Sequence, residues 1–218
     1  MILPEEFYQR EDVLGISREL LGKYLFTRIG EVTTGGMIVE TEAYHGPEDR
    51  ASHAWKGRLT NRTRVMYEAG GLAYVYLCYG IHYLFNVVTA SEGIPHAVLI
   101  RAIEPVEGLD KQLERRKMTA FHPRVTSGPG ALCKALGIDK ELNGANLASA
   151  SINPAPTNLA SASANLVSTA VWIEERGTVI ESKDIIAGPR VGVAYAGEDA
   201  LLSWRFSIRN NRFVSKAK

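Results

Sequence analysis

The chain is short of cysteine, of long apolar runs and of charge of either dominant sign, and each shortage removes a class of protein. Its two cysteines, Cys78 and Cys133, stand in no Cys-x-x-Cys or Cys/His ligand spacing. The expectation is two reduced thiols, with neither a structural disulfide nor a metal site. No stretch approaches the roughly 18 apolar residues that a membrane span needs. The opening residues Met1 to Glu6 carry no basic leader before an apolar segment, so the expectation is a soluble, cytoplasmic protein with no membrane partner. What remains is ordinary: 218 residues, 45% hydrophobic and 22% charged, the range of one compact domain over residues 1–218.

A net charge of +1 hides local asymmetry. Between Arg50 and Arg64 stand five cations, Arg50, Lys56, Arg58, Arg62 and Arg64, with no Asp or Glu among them. A second patch sets Lys111, Arg115, Arg116, Lys117 and Arg124 against Glu114 alone. Such clusters can neutralise phosphates, and they can equally be solvated surface.

Apolar spacing from Pro4 to Leu21 fits one or two short amphipathic helices that stop at Gly22. Residues 23–28 and 36–44 read as strands, the second with Ile38, Glu40, Glu42 and Tyr44 on one face. Loop composition fills His45 to Arg64. Two aromatic-rich runs, Leu72 to Cys78 and Ile81 to Thr89, flank Tyr79-Gly80 and predict a tight hairpin. Ala97–Ala102, Ala170–Ile173, Val191–Val193 and Arg205–Ile208 are further strand candidates, and Glu107–Lys117 and Gly130–Leu136 further helices. Residues 143–168 are built from Ala, Ser and Asn and repeat Asn-Leu-Ala-Ser-Ala-Ser, which reads as a low-complexity surface insertion. The fold class expected is α+β: a curved, mainly antiparallel sheet with packed helices and a protruding hairpin.

An acid inside a strand beside aromatic residues suits general acid/base work, because burial or surrounding donors tune its ionisation. Glu40 and Glu42 both qualify, and both could as readily pair with an arginine at a sheet edge. Two carboxylates on one face also suit a sugar hydrolase. Of nine tyrosines, Tyr74, Tyr76, Tyr79 and Tyr83 crowd one hairpin. Aromatic strands usually mean core, but a ring at the tip of a tight turn cannot bury itself in its own domain. Tyr79 therefore suits a wedge between base steps. His53, beside the basic run, reads as a loop histidine or a pocket cap.

Five segments carry a resemblance: VETEAYHGPEDRASHAWKGRLTNRTRVM (39–66), YVYLCYGIHYLFNVV (74–88), VLIRAIEPVEG (98–108), SGPGALCKALGI (127–138) and RVGVAYAGE (190–198). In this order they resemble the alkyladenine, or 3-methyladenine, DNA glycosylases of the mammalian alkylpurine type. The resemblance implies a monofunctional base-excision enzyme that requires no metal or organic cofactor and acts as a monomer on double-stranded DNA with damaged purines. It assigns water activation to Glu42 with Arg101 beside it, and base stacking to Tyr44, His53 and Tyr76. Asn86 would crowd the guanine amino group, Tyr79 would intercalate, and Arg58, Arg62 and Arg64 would meet the DNA backbone. Many relatives carry lysine or a polar residue where this chain has Ala131. Such an enzyme would sit on the nucleoid of a bacterium or in the nucleus of a eukaryote. Two other readings stand beside it: a non-catalytic reader of distorted nucleic acid, and a hydrolase of free nucleosides or sugars.

Overall fold

A computed structural model describes residues 1–148 and 169–216. The N-terminal spacing forms two short helices, α1 (Glu5–Tyr8) and α2 (Val13–Glu19), and the Asp12 carboxylate caps the second by accepting from the Gly15 N–H at 2.8 Å. The strands are β1 (Tyr24–Ile29), β2 (Val32–Tyr44), β3 (Ala73–Cys78), β4 (His82–Thr89), β5 (His96–Glu107), β6 (Thr169–Glu174), β7 (Ile185–Gly188) and β8 (Arg205–Ile208). Two more helices, α3 (Leu109–Arg116) and α4 (Pro129–Leu136), follow β5. Among the described residues every strand pairing is antiparallel, in the order β3-β4-β5-β2-β1-β6, with β8 joining β2 and β7. The α+β class and the hairpin follow the sequence reading.

The central strand β2 is long because it serves several partners. Its first half pairs with β1, its second half with β8, and β5 runs along its other edge. Gly35 and Gly36 permit this crowding, since an added Cβ would lie 2.2 Å from the Phe26 ring at the first and 2.3 Å from the Glu104 carbonyl at the second. On one side of the sheet Ile16 of α2, Leu20 just after it and Leu132, Cys133 and Leu136 of α4 pack with Leu25, Phe85, Val98 and Ile100 into the main core. Fully burying each aliphatic side chain contributes about 1.5–3 kcal/mol. A smaller cluster of Val39, Ala102, Val125 and Phe213 lies apart from it.

Four expectations need correction. Strict alternation groups Ile38 with the two acids, but the β2–β5 register slips between Ile38 and Glu40, and Ile38 joins the main core while Val39 joins the smaller cluster. Residues 191–193 are not a strand; the chain curves there, which frees the Val191 N–H from any ladder. The missing strand is β7, at residues 185–188, where no alternation announced it. Finally, the 143–168 segment does not begin as an insertion. Asn143 accepts from the Val75 N–H at 2.9 Å, Ala145 accepts from the Ala73 N–H at 2.8 Å, and Leu147 is fully buried; residues 149–168 lie outside the described part. Among the described residues no helix is long and apolar enough to cross a membrane.

Candidate active site

Paired irregularities on two strands build the centre. The register runs Ile38↔Ile103, Glu40↔Ala102, Thr41↔Ile100, so Val39 is the extra residue on β2 and Arg101 the extra residue on β5. Bulges re-aim side chains, and here they bring one guanidinium between two fully buried carboxylates. Glu40 accepts from Arg101 Nε at 2.8 Å, from the Ser215 N–H at 2.7 Å and from the Ser215 hydroxyl at 2.8 Å. Glu42 accepts from the Val191 N–H at 2.7 Å and the Tyr44 hydroxyl at 2.9 Å, with Arg101 Nη1 at 3.2 Å.

The two acids therefore differ in what they leave open. A carboxylate has about four acceptor positions. Glu40 is enclosed by the C-terminal segment, whereas the groups around Glu42, namely Tyr44, Arg101 and Val191, themselves line a cleft. Burial pushes the Glu42 carboxyl above its ordinary range, and Arg101, the Val191 N–H and the Tyr44 hydroxyl pull the other way. A carboxylate so balanced can take a proton from a water at the cleft floor.

A second buried ion pair braces the first. Arg190 donates to Asp49 at 2.5 and 2.8 Å with both side chains fully buried, and it also donates to the Ala43 carbonyl at 2.9 Å. Its guanidinium carbon stands 4.8 Å from the Tyr44 ring centroid and 5.0 Å from that of Trp204, a desolvated cation–π contact of about 2 kcal/mol. Tyr44 is thus held at both ends, by Glu42 at its hydroxyl and by Arg190 at its ring.

The aromatic residues gather above. Tyr44, His53, Tyr74, Tyr76 and Asn86 line one cleft. His53 Nδ1 meets the Tyr74 hydroxyl at 2.8 Å, and the His53 ring stands edge-on to Tyr76 with centroids 4.6 Å apart. Burial, with Arg62 and Arg58 nearby, lowers the His53 pKa to about 4, so the ring is neutral at pH 7. The Asn86 amide donates to the Tyr74 carbonyl at 3.1 Å, which fixes its orientation.

The rim is built differently. Tyr79 and Gly80 turn the β3–β4 hairpin with φ of 50° and 70°, and Tyr79 is 88% exposed. A non-glycine residue at positive φ is uncommon and strained. Arg58 and Arg62 line a groove that reaches His53; Arg64 is exposed but lies outside that lining. Arg62 also sits with its guanidinium carbon 5.5 Å from the Tyr76 ring centroid. The second basic patch is partly structural: Arg115 bonds Thr34 and the Ala135 carbonyl, and Arg116 bonds the Val125 carbonyl. Sequence reasoning missed Asp49, Arg190, Val191, Tyr195 and Ser215. Of these, Asp49 falls within the 39–66 segment and Arg190, Val191 and Tyr195 within the 190–198 segment that carried the resemblance, the signal that could have found them.

Comparison with known proteins agrees with this arrangement. The family model described as "Methylpurine-DNA glycosylase (MPG)" matches residues 6–212. A Chlamydia felis protein named "Putative 3-methyladenine DNA glycosylase" is 43% identical over 208 residues, 95% of this chain and 96% of that protein. A Bacillus mycoides protein of the same name is 42% identical over 221 residues, covering 99% of this chain and all of its own length (100%).

Proposed function

The chain belongs to the methylpurine-DNA glycosylase family, and from that premise we propose that it excises damaged purines from duplex DNA by hydrolysing the N-glycosidic bond. The observation that carries this reading is Glu42, a buried carboxylate held by the Val191 N–H, the Tyr44 hydroxyl and the Arg101 guanidinium, all three of which line an aromatic cleft. Water attacks the sugar carbon C1′ and passes a proton to Glu42. The C–N bond breaks toward the purine, whose damage or protonation makes it a better leaving group, and an abasic site remains. Arg101 orients Glu42 and keeps it ionised. No lysine nucleophile enters, so the strand is not cut, and this route uses no metal or cofactor. The enzyme acts as a monomer.

The target base must leave the stack to reach this floor. Tyr79 fills the gap it leaves, while Arg58, Arg62 and, farther out, Arg64 hold phosphates. Tyr44 and His53 stack on one face of the base and Tyr76 on the other. Two parallel ring contacts need roughly 7 Å between the outer rings, more than the 4.6 Å between His53 and Tyr76. Base entry in this reading therefore swings His53 away from Tyr76. Asn86 crowds the N2 amino group of guanine and so disfavours undamaged G.

The test is base release from a duplex with a single 7-methylguanine, hypoxanthine or ethenoadenine, beside the matching free nucleoside. Release from the duplex and not from the nucleoside is expected. Efficient cleavage of the nucleoside alone would make the protein a nucleoside hydrolase and leave Tyr79 and the arginines without a purpose.

A further inference from the structure

Glu40 is the unused acid of the site; besides Arg101 on β5 at 2.8 Å and Arg205 on β8 at 3.6 Å, its partners come from the C-terminal segment. That segment leaves β8, turns at Asn211, where the Asn211 side chain accepts from the Phe213 N–H at 2.9 Å, and buries Phe213 beside Val39 and Ala102. Val39 is the bulged residue of β2, and Ala102 adjoins the bulged Arg101 of β5. The anchored chain then delivers Ser215 to the carboxylate: its N–H reaches Glu40 Oε2 at 2.7 Å and its hydroxyl reaches Oε1 at 2.8 Å. The same hydroxyl accepts from Arg101 Nη2 at 3.1 Å. Ser215 lies beyond residues 6–212, the span that the family model matches.

We propose that Ser215 is a positioning residue for base excision: its hydroxyl clasps Glu40 and Arg101 together and so aims the other end of the Arg101 guanidinium at Glu42. The inference rests on the reading of Glu42 given above. A guanidinium is planar, with donors in a fixed fork. Once Nε is pinned to Glu40 at 2.8 Å and Nη2 to Ser215, the direction of Nη1 toward Glu42 is set. Without the hydroxyl, Nη2 loses its acceptor and the fork can rotate about the remaining Nε bond. Ser215 does not line the cleft, so it acts only through Arg101.

The consequence is chemical as well as geometric. Glu42 is faced by Arg101 from β5, by Tyr44 and Glu40 from its own strand, by Arg190 and the Val191 N–H from the loop before residue 194, and by Arg205 paired opposite on β8. Of the cations, Arg101 makes the closest approach at 3.2 Å and opposes the upward push of burial on Glu42. Losing its aim therefore moves the acid limb of the pH profile to higher pH.

The experiment compares Ser215→Thr and Ser215→Val, which share a shape and differ in the hydroxyl, with Ser215→Ala and Glu42→Gln alongside. Single-turnover base release is followed across pH, and affinity is measured on a duplex carrying an abasic analogue. Val and Ala should release base on the order of 10-fold more slowly, as for loss of a hydrogen bond to a charged group, with the acid limb displaced upward and affinity within about twofold of wild type. Thr should restore rate and limb. Any cost of β-branching to folding is common to Thr and Val, so equal rates and limbs for that pair overturn the proposal. If Glu42→Gln releases base normally, it is the role of Glu42 that fails; if Glu42→Gln is inactive and Val matches Thr, only the role of Ser215 falls.

Discussion

The floor and the rim of the cleft are built on opposite principles. At the floor, Glu40, Glu42, Arg101, Asp49 and Arg190 are all buried and each charge meets a countercharge within 3.2 Å. At the rim, Tyr79 stands 88% exposed on a left-handed turn, and Arg58, Arg62 and Arg64 are open to solvent. Buried ion pairs contribute little net stability but are costly to break, so they hold geometry. Exposed rings and cations hold little in the free protein, where Arg62 meets the Tyr76 ring and the Leu77 carbonyl, and gain most when a polyanion with stackable bases covers them. Changes at the floor should therefore move rate and stability, and changes at the rim should move affinity.

The sharpest separation comes from Glu42→Gln, which should lower single-turnover base release on the order of 10²–10⁴-fold while lesion binding persists; a stopped or quenched-flow assay of released base reads it. Next, Asp49→Ala strands Arg190 in the interior and should lower unfolding free energy by about 3–5 kcal/mol in chemical denaturation. A loss under 1 kcal/mol would mean that the floor is not rigidly braced. Tyr79→Ala should weaken binding to lesion duplex about 10-fold, a stacking contact of 1–3 kcal/mol, without slowing base release once bound. Arg62→Ala should reduce the slope of log affinity against log salt by about 1; Arg64→Ala, outside the groove, should do less.

A separate expectation is a pH dependence of stability. The His53 and His96 pKa values are both lowered to about 4, below the unfolded value near 6.5. Between those limits the folded state binds fewer protons than the unfolded one, so stability rises with pH across the window and falls on acidification. Glu42, with its carboxyl raised, works in the opposite sense above its ordinary range. A His53→Gln, His96→Gln double variant isolates the histidine part: its stability should change less than that of the wild type between pH 6.5 and 4.

How much of this was legible in the sequence follows the same division. The rim was readable: Tyr79-Gly80 between two strands announces a turn, and a ring at such a turn has nowhere to bury. The uninterrupted cations of 50–64 announce a basic surface. The floor was readable only in part. Alternation put Glu40 and Glu42 together but could not tell them apart, because the bulges at Val39 and Arg101 leave no trace in a period of two. Only the resemblance favoured Glu42. Arg190 and Ser215 were missed because they lie far from β2 in sequence; Ser215 meets Glu40 across 175 positions. Asp49 follows β2 closely and was missed because its partner Arg190 lies 141 positions away. Residues 143–148 were misread because composition reports small and polar residues, not the backbone bonds that dock them on β3.

The most direct test of the central claim is a paired measurement on one lesion duplex, with dissociation constant and single-turnover base release recorded for Glu42→Gln and Tyr79→Ala together. The division between floor and rim predicts a crossover: Glu42→Gln binds as wild type does and does not release base, while Tyr79→Ala binds weakly and releases base at the wild-type rate once saturated. Normal release by Glu42→Gln, or loss of both properties in each variant, would contradict it.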